Sequence, residues 1–203
     1  MKVPDSAMPE EAYWESLFDV PLVLERLGLD RSVKDVAELG CGYGTFTIPL
    51  ARRVSGTVFA FDDEPLMIAR TVARAAAAGV LNVRGEVRNV LEDGFGLEAG
   101  SCSACLLFNV LHCQDPETVL REAARIIIPG GHVLLIHWRS DIPTPRGPPL
   151  SIRPRPAQIL QWGRAAGLQP GFTANLPPWH FGIGLGKLSS AHRPPHHMGR
   201  RAA

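Results

Sequence analysis

The sequence predicts an α/β fold, a doubly wound and mostly parallel sheet with helices on both faces, from three observations. Short apolar runs alternate with helical patterns through about five rounds between Val33 and Trp138. The first run leads straight into a glycine turn, Gly40-Cys41-Gly42-Tyr43-Gly44. The second, Val58-Phe59-Ala60-Phe61-Asp62, ends in an acid.

In chain order, Glu10 to Leu27 places apolar residues at helical spacing and predicts one helix broken near Pro21. Val33 to Leu39 predicts a strand, and Thr45 to Val54 a helix that tolerates Pro49 only within its first turn. Thr57 to Phe61 is the next strand, followed by an alanine-rich helix from Glu64 to Ala78, stopped by Gly79. Asn82 to Val87 is a third strand, Asn89 to Ser101 a loop, and Ala104 to Val110 a fourth strand. Asp115 before Pro116 marks the start of a helix to Ile128, which Pro129-Gly130-Gly131 should end before a strand from His132 to Trp138. Residues 141–156 are too rich in proline for either regular element and read as a stiff exposed loop. A helix from Ala157 to Ala166 and strands near Leu168 to Ala174 and His180 to Lys187 complete the pattern.

Composition narrows the function. In 203 residues, 45% hydrophobic content suffices for one packed domain, and a formal charge of +1 supplies no global field to attract nucleic acid or an anionic membrane. No apolar run approaches the roughly 20 residues that span a bilayer, and residues 1–10 carry prolines and acids in place of a signal peptide's apolar core. A cytoplasmic protein is expected. Cys41, Cys102, Cys105 and Cys113 offer a single C-x-x-C, and a strand from Cys105 to Val110 would carry Cys105 away from His112 and Cys113 at roughly 3.3 Å per residue. Reduced, buried thiols are the simpler reading, with no metal expected.

The glycine turn lets a backbone approach a ligand closely, and the helix after it offers free N–H groups. A dinucleotide turn, G-x-G-x-x-G, would require glycine at position 45, where Thr45 stands. Asp62 lies about 20 residues beyond the turn, where an acid in doubly wound sheets accepts hydrogen bonds from ribose hydroxyls. Asp63 and Glu64 can equally serve as first-turn acids favoured by the helix dipole. Asn109 and His112 follow the fourth strand, at the carboxyl edge where such sheets bind ligands, and His112 is a candidate general base.

The run Glu38-Leu39-Gly40-Cys41-Gly42-Tyr43-Gly44, the acid at Asp62 and Ile128-Pro129-Gly130-Gly131, in this order, resemble the class I S-adenosylmethionine-dependent methyltransferases. That resemblance implies a Rossmann-like sheet of seven strands with the last antiparallel, S-adenosyl-L-methionine as cofactor, and in-line methyl transfer. It implies that Gly40, Cys41, Gly42 and Gly44 pack on the methionine part of the cofactor and that Glu38 orients its amino group. It further places Asp63, Asn89 and Val90 along the adenine, and Asn109 and His112 between cofactor and acceptor. Residues 31–188 would form this domain, 1–30 a helical cap and 189–203 a disordered tail.

The acceptor side depends on the chain ends. Tyr13 and Trp14 lie on a helix that closes over the cofactor in many members of that family, or else serve ordinary packing. His137 and Trp138 end the fifth strand beside a loop with Arg146, Arg153 and Arg155, whose guanidinium groups would suit an acceptor carboxylate or phosphate, or simply face solvent. Without a large inserted domain, a small-molecule acceptor is expected, with neither nucleic acid nor membrane as partner. The alternatives are a non-catalytic module that binds the same cofactor and an NAD(P)-dependent oxidoreductase.

Overall fold

The computed structural model describes residues 8–189; the tail expected at 189–203 lies outside them except for Ser189. Its sheet has seven strands in the order β3-β2-β1-β4-β5-β7-β6, with β1 Val36–Leu39, β2 Val58–Asp62, β3 Val83–Val87, β4 Cys102–Phe108, β5 Ile127–Trp138, β6 Gln169–Leu176 and β7 His180–Gly186. β1 to β5 pair in parallel, and β7 runs antiparallel to both β5 and β6.

Alternation along each central strand builds two cores. Ala37, Leu39, Cys105, Leu107, Val133 and Leu135 face one side. Val36, Leu106, Phe108, Leu134 and Ile136 face the other. A strand buried on both faces reads in sequence as an unbroken apolar run, as these do. The first core is closed by α6 Pro116–Ile126 and α7 Pro156–Ala165, through Val119, Leu120, Ala123 and Ile159. The second is closed by α2 Val20–Arg26, α3 Thr47–Ala51 and α4 Pro65–Ala77, through Leu24, Leu50 and Ala75.

Helix starts follow local chemistry. Asp19 accepts the N–H of Leu22 and Asp115 that of Thr118, each meeting an otherwise unpaired first-turn donor. The expected broken helix is α1 Glu11–Glu15 followed by α2, with Pro21 in the first turn of α2. Pro49 likewise falls in the first turn of α3, where its missing N–H costs nothing.

Three expectations change, the first being that residues 141–156, expected as an exposed loop without regular structure, contain a 3-10 turn at Leu150–Ile152 and bury Pro148 and Arg153. The loop predicted from Asn89 to Ser101 contains one helical turn, α5 Val90–Asp93. Pro129-Gly130-Gly131 does not precede β5 but lies inside it, because Ile127 already pairs with Cys102 and Lys187 exchanges backbone hydrogen bonds with Gly130 and Gly131. A Cβ on Gly131 would come within 2.7 Å of the Ser103 carbonyl oxygen, so this irregular pairing requires glycine.

Candidate cofactor and acceptor site

The strand order reverses between β1 and β4, so the loops leaving their carboxyl ends separate and leave a crevice, the usual ligand position in such sheets. The glycine turn fills one wall. Gly40, Gly42 and Gly44 have φ of 74°, 52° and 76°, in the left-handed region where side chains are strained. A Cβ on Gly40 would sit 2.9 Å from Cγ1 of Val110, so the turn packs directly on the loop after β4.

Two carboxyl groups flank the turn. Glu38, in β1 and only 2% exposed, accepts a hydrogen bond at 2.6 Å from the Thr47 hydroxyl. Desolvation, reinforced by the Asp62 charge, raises its pKa to about 7 despite that bond. Asp62, at the end of β2, accepts the N–H of Gly42 at 3.0 Å and that of Glu64 at 3.1 Å. Desolvation raises its pKa too, opposed by those two bonds. The Thr71 hydroxyl donates to the Gly42 carbonyl at 2.8 Å, fixing the turn from α4.

The turn, Glu38 and Asp62 open onto a cavity of about 590 Å³. Several polar atoms around it lack partners. Oδ1 of Asn109, Oδ1 of Asn89 and Oγ1 of Thr45 are buried without a hydrogen bond, a costly state unless a ligand or water meets them. Asn109 also adopts φ of 56°, unusual outside glycine, while its N–H bonds the Ile136 carbonyl.

The rest of the lining includes an aromatic group. Trp14, Phe46, Phe108 and Trp138 line the cavity together with His112 and Arg146. α1 is held over the opening by Arg74, which binds Glu15 at 2.8 Å, Glu11 at 2.9 Å and the Tyr43 carbonyl at 2.7 Å. The Tyr43 hydroxyl bonds the Pro9 carbonyl at 2.7 Å, and the Tyr13 hydroxyl reaches the Pro145 carbonyl at 3.4 Å. The amino-terminal segment and the proline-rich loop thus meet above the glycine turn.

Residues 36–131 match the family model described as a methyltransferase domain. Ubiquinone biosynthesis O-methyltransferase of Cronobacter sakazakii is 33% identical over 103 residues, 49% of this chain and 40% of that protein. An uncharacterized 37.1 kDa protein in transposon Tn4556 of Streptomyces fradiae is 30% identical over 145 residues, 66% of this chain and 41% of its own length. The chain therefore spans about two-fifths of the curated relatives it matches. A SAM-dependent methyltransferase from Aquifex aeolicus superposes with a TM-score of 0.76 at 22% identity, covering 87% of this chain and 93% of that one. Residues 36–131 are thus similar to methyltransferase domains in sequence, and the chain shares the fold of a SAM-dependent methyltransferase.

Of the residues singled out in the sequence, Glu38, Gly40, Cys41, Gly42, Asp62, Asp63, Val90, Asn109, His112, Trp14, Trp138 and Arg146 line the cavity. Gly44 and Asn89 lie one residue behind the lining, next to residues that form it. Tyr13 is 41% exposed and acts from outside through Pro145. His137 sits behind His112, and neither Arg153 nor Arg155 lines the cavity.

Arg153 is committed elsewhere. Its guanidinium donates to the carbonyls of Pro148 at 2.7 Å, Arg139 at 2.8 Å and Arg146 at 3.3 Å, pinning the proline-rich loop. Arg155 is exposed at the start of α7. Of the three arginines anticipated from sequence, Arg146 alone lines the cavity.

Met8, Thr45, Arg88 and the strip Thr144 to Pro148 also line the cavity. Thr45 follows the glycine turn immediately, so its place in the chain pointed to it. The others reach the site only through tertiary packing. The four cysteines are free and buried, and no metal-ligating cluster occurs among the described residues. Among them, too, no helix is long and apolar enough to cross a membrane.

Proposed function

We propose that this domain binds S-adenosyl-L-methionine in the β1/β4 crevice and directs its methyl group to a small-molecule acceptor. The observation that carries this reading is the convergence of the Glu38 and Asp62 carboxyl groups and the glycine turn at one cavity. The residues fit the cofactor. The glycines of the turn leave room for close backbone approach, Glu38 is a buried carboxyl in need of a cation, and Asn109, in the lining, carries an unpaired acceptor oxygen for an amine or hydroxyl donor.

When bound, the cofactor supplies an electrophilic methyl on a sulfonium whose leaving group is already in place. The chain's own residues bind and orient. Glu38 holds the amino group, Asp62 and Asp63 the ribose side, and Asn89 with Val90 the adenine. Trp14, Met8 and the loop from Thr144 to Pro148 exclude water, and most of the catalytic effect comes from holding acceptor and methyl in line. A cavity of about 590 Å³ lies within the range of small-molecule sites, which supports a small acceptor over a macromolecular one. The O-methyltransferase names of the matching relatives support an oxygen acceptor.

Calorimetry with S-adenosylmethionine, S-adenosylhomocysteine and NAD(P) tests the reading. Micromolar binding of the first two is expected; binding of NAD(P) in their place would overturn it. Transfer of labelled methyl to a metabolite extract then identifies the acceptor.

A further inference from the structure

His112 and His137 form a directed pair. Nδ1 of His137 lies 3.3 Å from the Trp138 carbonyl oxygen, and a carbonyl can only accept, so Nδ1 of His137 carries a proton. A neutral His137 then has its lone pair on Nε2, which lies 3.3 Å from Nδ1 of His112. The proton between the rings must belong to His112 Nδ1, and Nε2 of His112 is left unprotonated. His112 lines the cavity, whereas His137 is 1% exposed and does not.

We propose that His137 is a positioning residue that holds His112 in its Nδ1–H tautomer, so that Nε2 of His112 accepts the proton of an acidic hydroxyl, phenolic or enolic, on an acceptor held among Trp14, Phe46, Phe108 and Trp138. This inference rests on the methyltransferase reading above. The hydroxyl proton passes to Nε2 while its bonding pair stays on oxygen. That oxygen forms the new O–C bond to the methyl of S-adenosylmethionine as the C–S bonding pair returns to sulfur, and the imidazolium releases its proton to solvent.

The electrostatics favour acidic hydroxyls. Burial and the nearby Arg153 lower the pKa of His112 to about 4, and His137 is lowered to about 3 by burial, His112, His180 and Arg153. His112 is therefore neutral at physiological pH and always ready to accept, yet its imidazolium is costly. A weak base of this kind assists a phenol better than an alkyl alcohol. The four aromatic side chains, set edge to face as Trp14 on Trp138 and Phe46 on Phe108, supply an apolar lining for such a ring.

Long-range ¹H–¹⁵N spectra of ring-labelled protein, without ligand, read the tautomers directly. The expected result is a neutral His112 and a neutral His137, both protonated at Nδ1. His137→Leu should mix the tautomers of His112 and lower kcat toward catechol a few-fold, in proportion to the fraction shifted to Nε2–H, with little change in KM for the methyl donor. His137→Gln, whose amide oxygen can accept from His112, should restore both. Protonation of His112 at Nε2, or a His137→Leu variant with unchanged tautomer and kcat, overturns the proposal. Methylation of amine probes but of no phenol in a panel led by catechol overturns it as well. Absence of S-adenosylmethionine binding, with the tautomers as stated, instead sinks the underlying methyltransferase reading.

Discussion

The Asp62 carboxylate accepts the backbone N–H of Gly42 at 3.0 Å, joining the end of β2 to the glycine turn after β1 across 20 residues of sequence. The acid therefore shapes the turn as well as facing the cavity. Asp62→Ala removes the acceptor from the Gly42 and Glu64 N–H groups, at a cost of about 1–3 kcal/mol of stability if either stays unpaired. Asp62→Asn keeps an acceptor oxygen and should lose less. Affinity for S-adenosylmethionine is expected to fall at least about 10-fold in Asp62→Ala, since one good hydrogen bond is worth that much. Calorimetry beside urea unfolding separates the two effects; unchanged affinity in a folded Asp62→Ala variant would remove Asp62 from the cofactor site.

Glu38 gives the domain a pH signature. Its pKa rises from 4.5 to about 7 on folding, so between those values Glu38 is more protonated in the folded chain than in the unfolded one. The Glu38 contribution to the stability of the ligand-free domain therefore falls by roughly 3 kcal/mol as pH rises through this window, while His112, His137 and His180, whose pKa values burial lowers, contribute the opposite trend up to about pH 6.5. A cationic amino group beside Glu38 favours its charged form, so cofactor affinity should rise across the same window. Glu38→Gln should remove the Glu38 part of both trends, stabilise the ligand-free domain at pH 8 relative to the wild type and weaken cofactor binding. Urea midpoints and calorimetry of both proteins from pH 5 to pH 8 check this, and a pH-independent difference between wild type and Glu38→Gln would show that Glu38 stays ionised.

What could be read from sequence was local. The central strands announced themselves because both faces are buried, and the glycine turn and Asp62 because backbone conformation and a strand-end acid leave marks in consecutive residues. Arg153 shows the limit. A guanidinium beside a strand tip looks equally suited to a ligand anion or to backbone carbonyls, and only the folded loop reveals three carbonyls within its reach. The extra turn at Val90–Asp93 and the start of β5 ahead of Pro129 likewise depend on neighbours distant in sequence. Thr144 to Pro148 reached the cavity through those same distant contacts.

Arg74 couples the amino-terminal cover to the glycine turn. Its pairs with Glu11 and Glu15 are partly exposed and each contributes about 0.2–1 kcal/mol, while its bond to the Tyr43 carbonyl acts on the turn itself. Arg74→Ala should leave the sheet intact and speed hydrogen exchange in residues 8–18. S-adenosylmethionine should dissociate faster, by about 5–10-fold if one to two such contacts are lost. Raising the salt concentration should mimic part of the effect in the wild type but not in the variant. Exchange rates identical in the two proteins would show that α1 is held without Arg74, by its aromatic packing, the Arg70–Glu11 pair and the tyrosine hydroxyl bonds.

Gly147 tests the acceptor wall separately from the cofactor wall. It has φ of 103°, and a Cβ there would lie 2.7 Å from Cγ of Trp138, a rigid and fully buried indole. Gly147→Ala combines a strained backbone, costing about 1–3 kcal/mol, with a collision that a ring cannot relieve by changing a distant rotamer. The loop from Thr144 to Pro148 must shift, and Trp138 with it. Hydrogen exchange should rise across residues 144–153, and KM for the acceptor should increase about 10-fold with the affinity for S-adenosylmethionine unchanged, because the glycine turn, Glu38 and Asp62 make no contact through Gly147. An equal loss of cofactor affinity would instead place this loop on the cofactor, and the acceptor would have to be sought on the side of Arg88 and Val90.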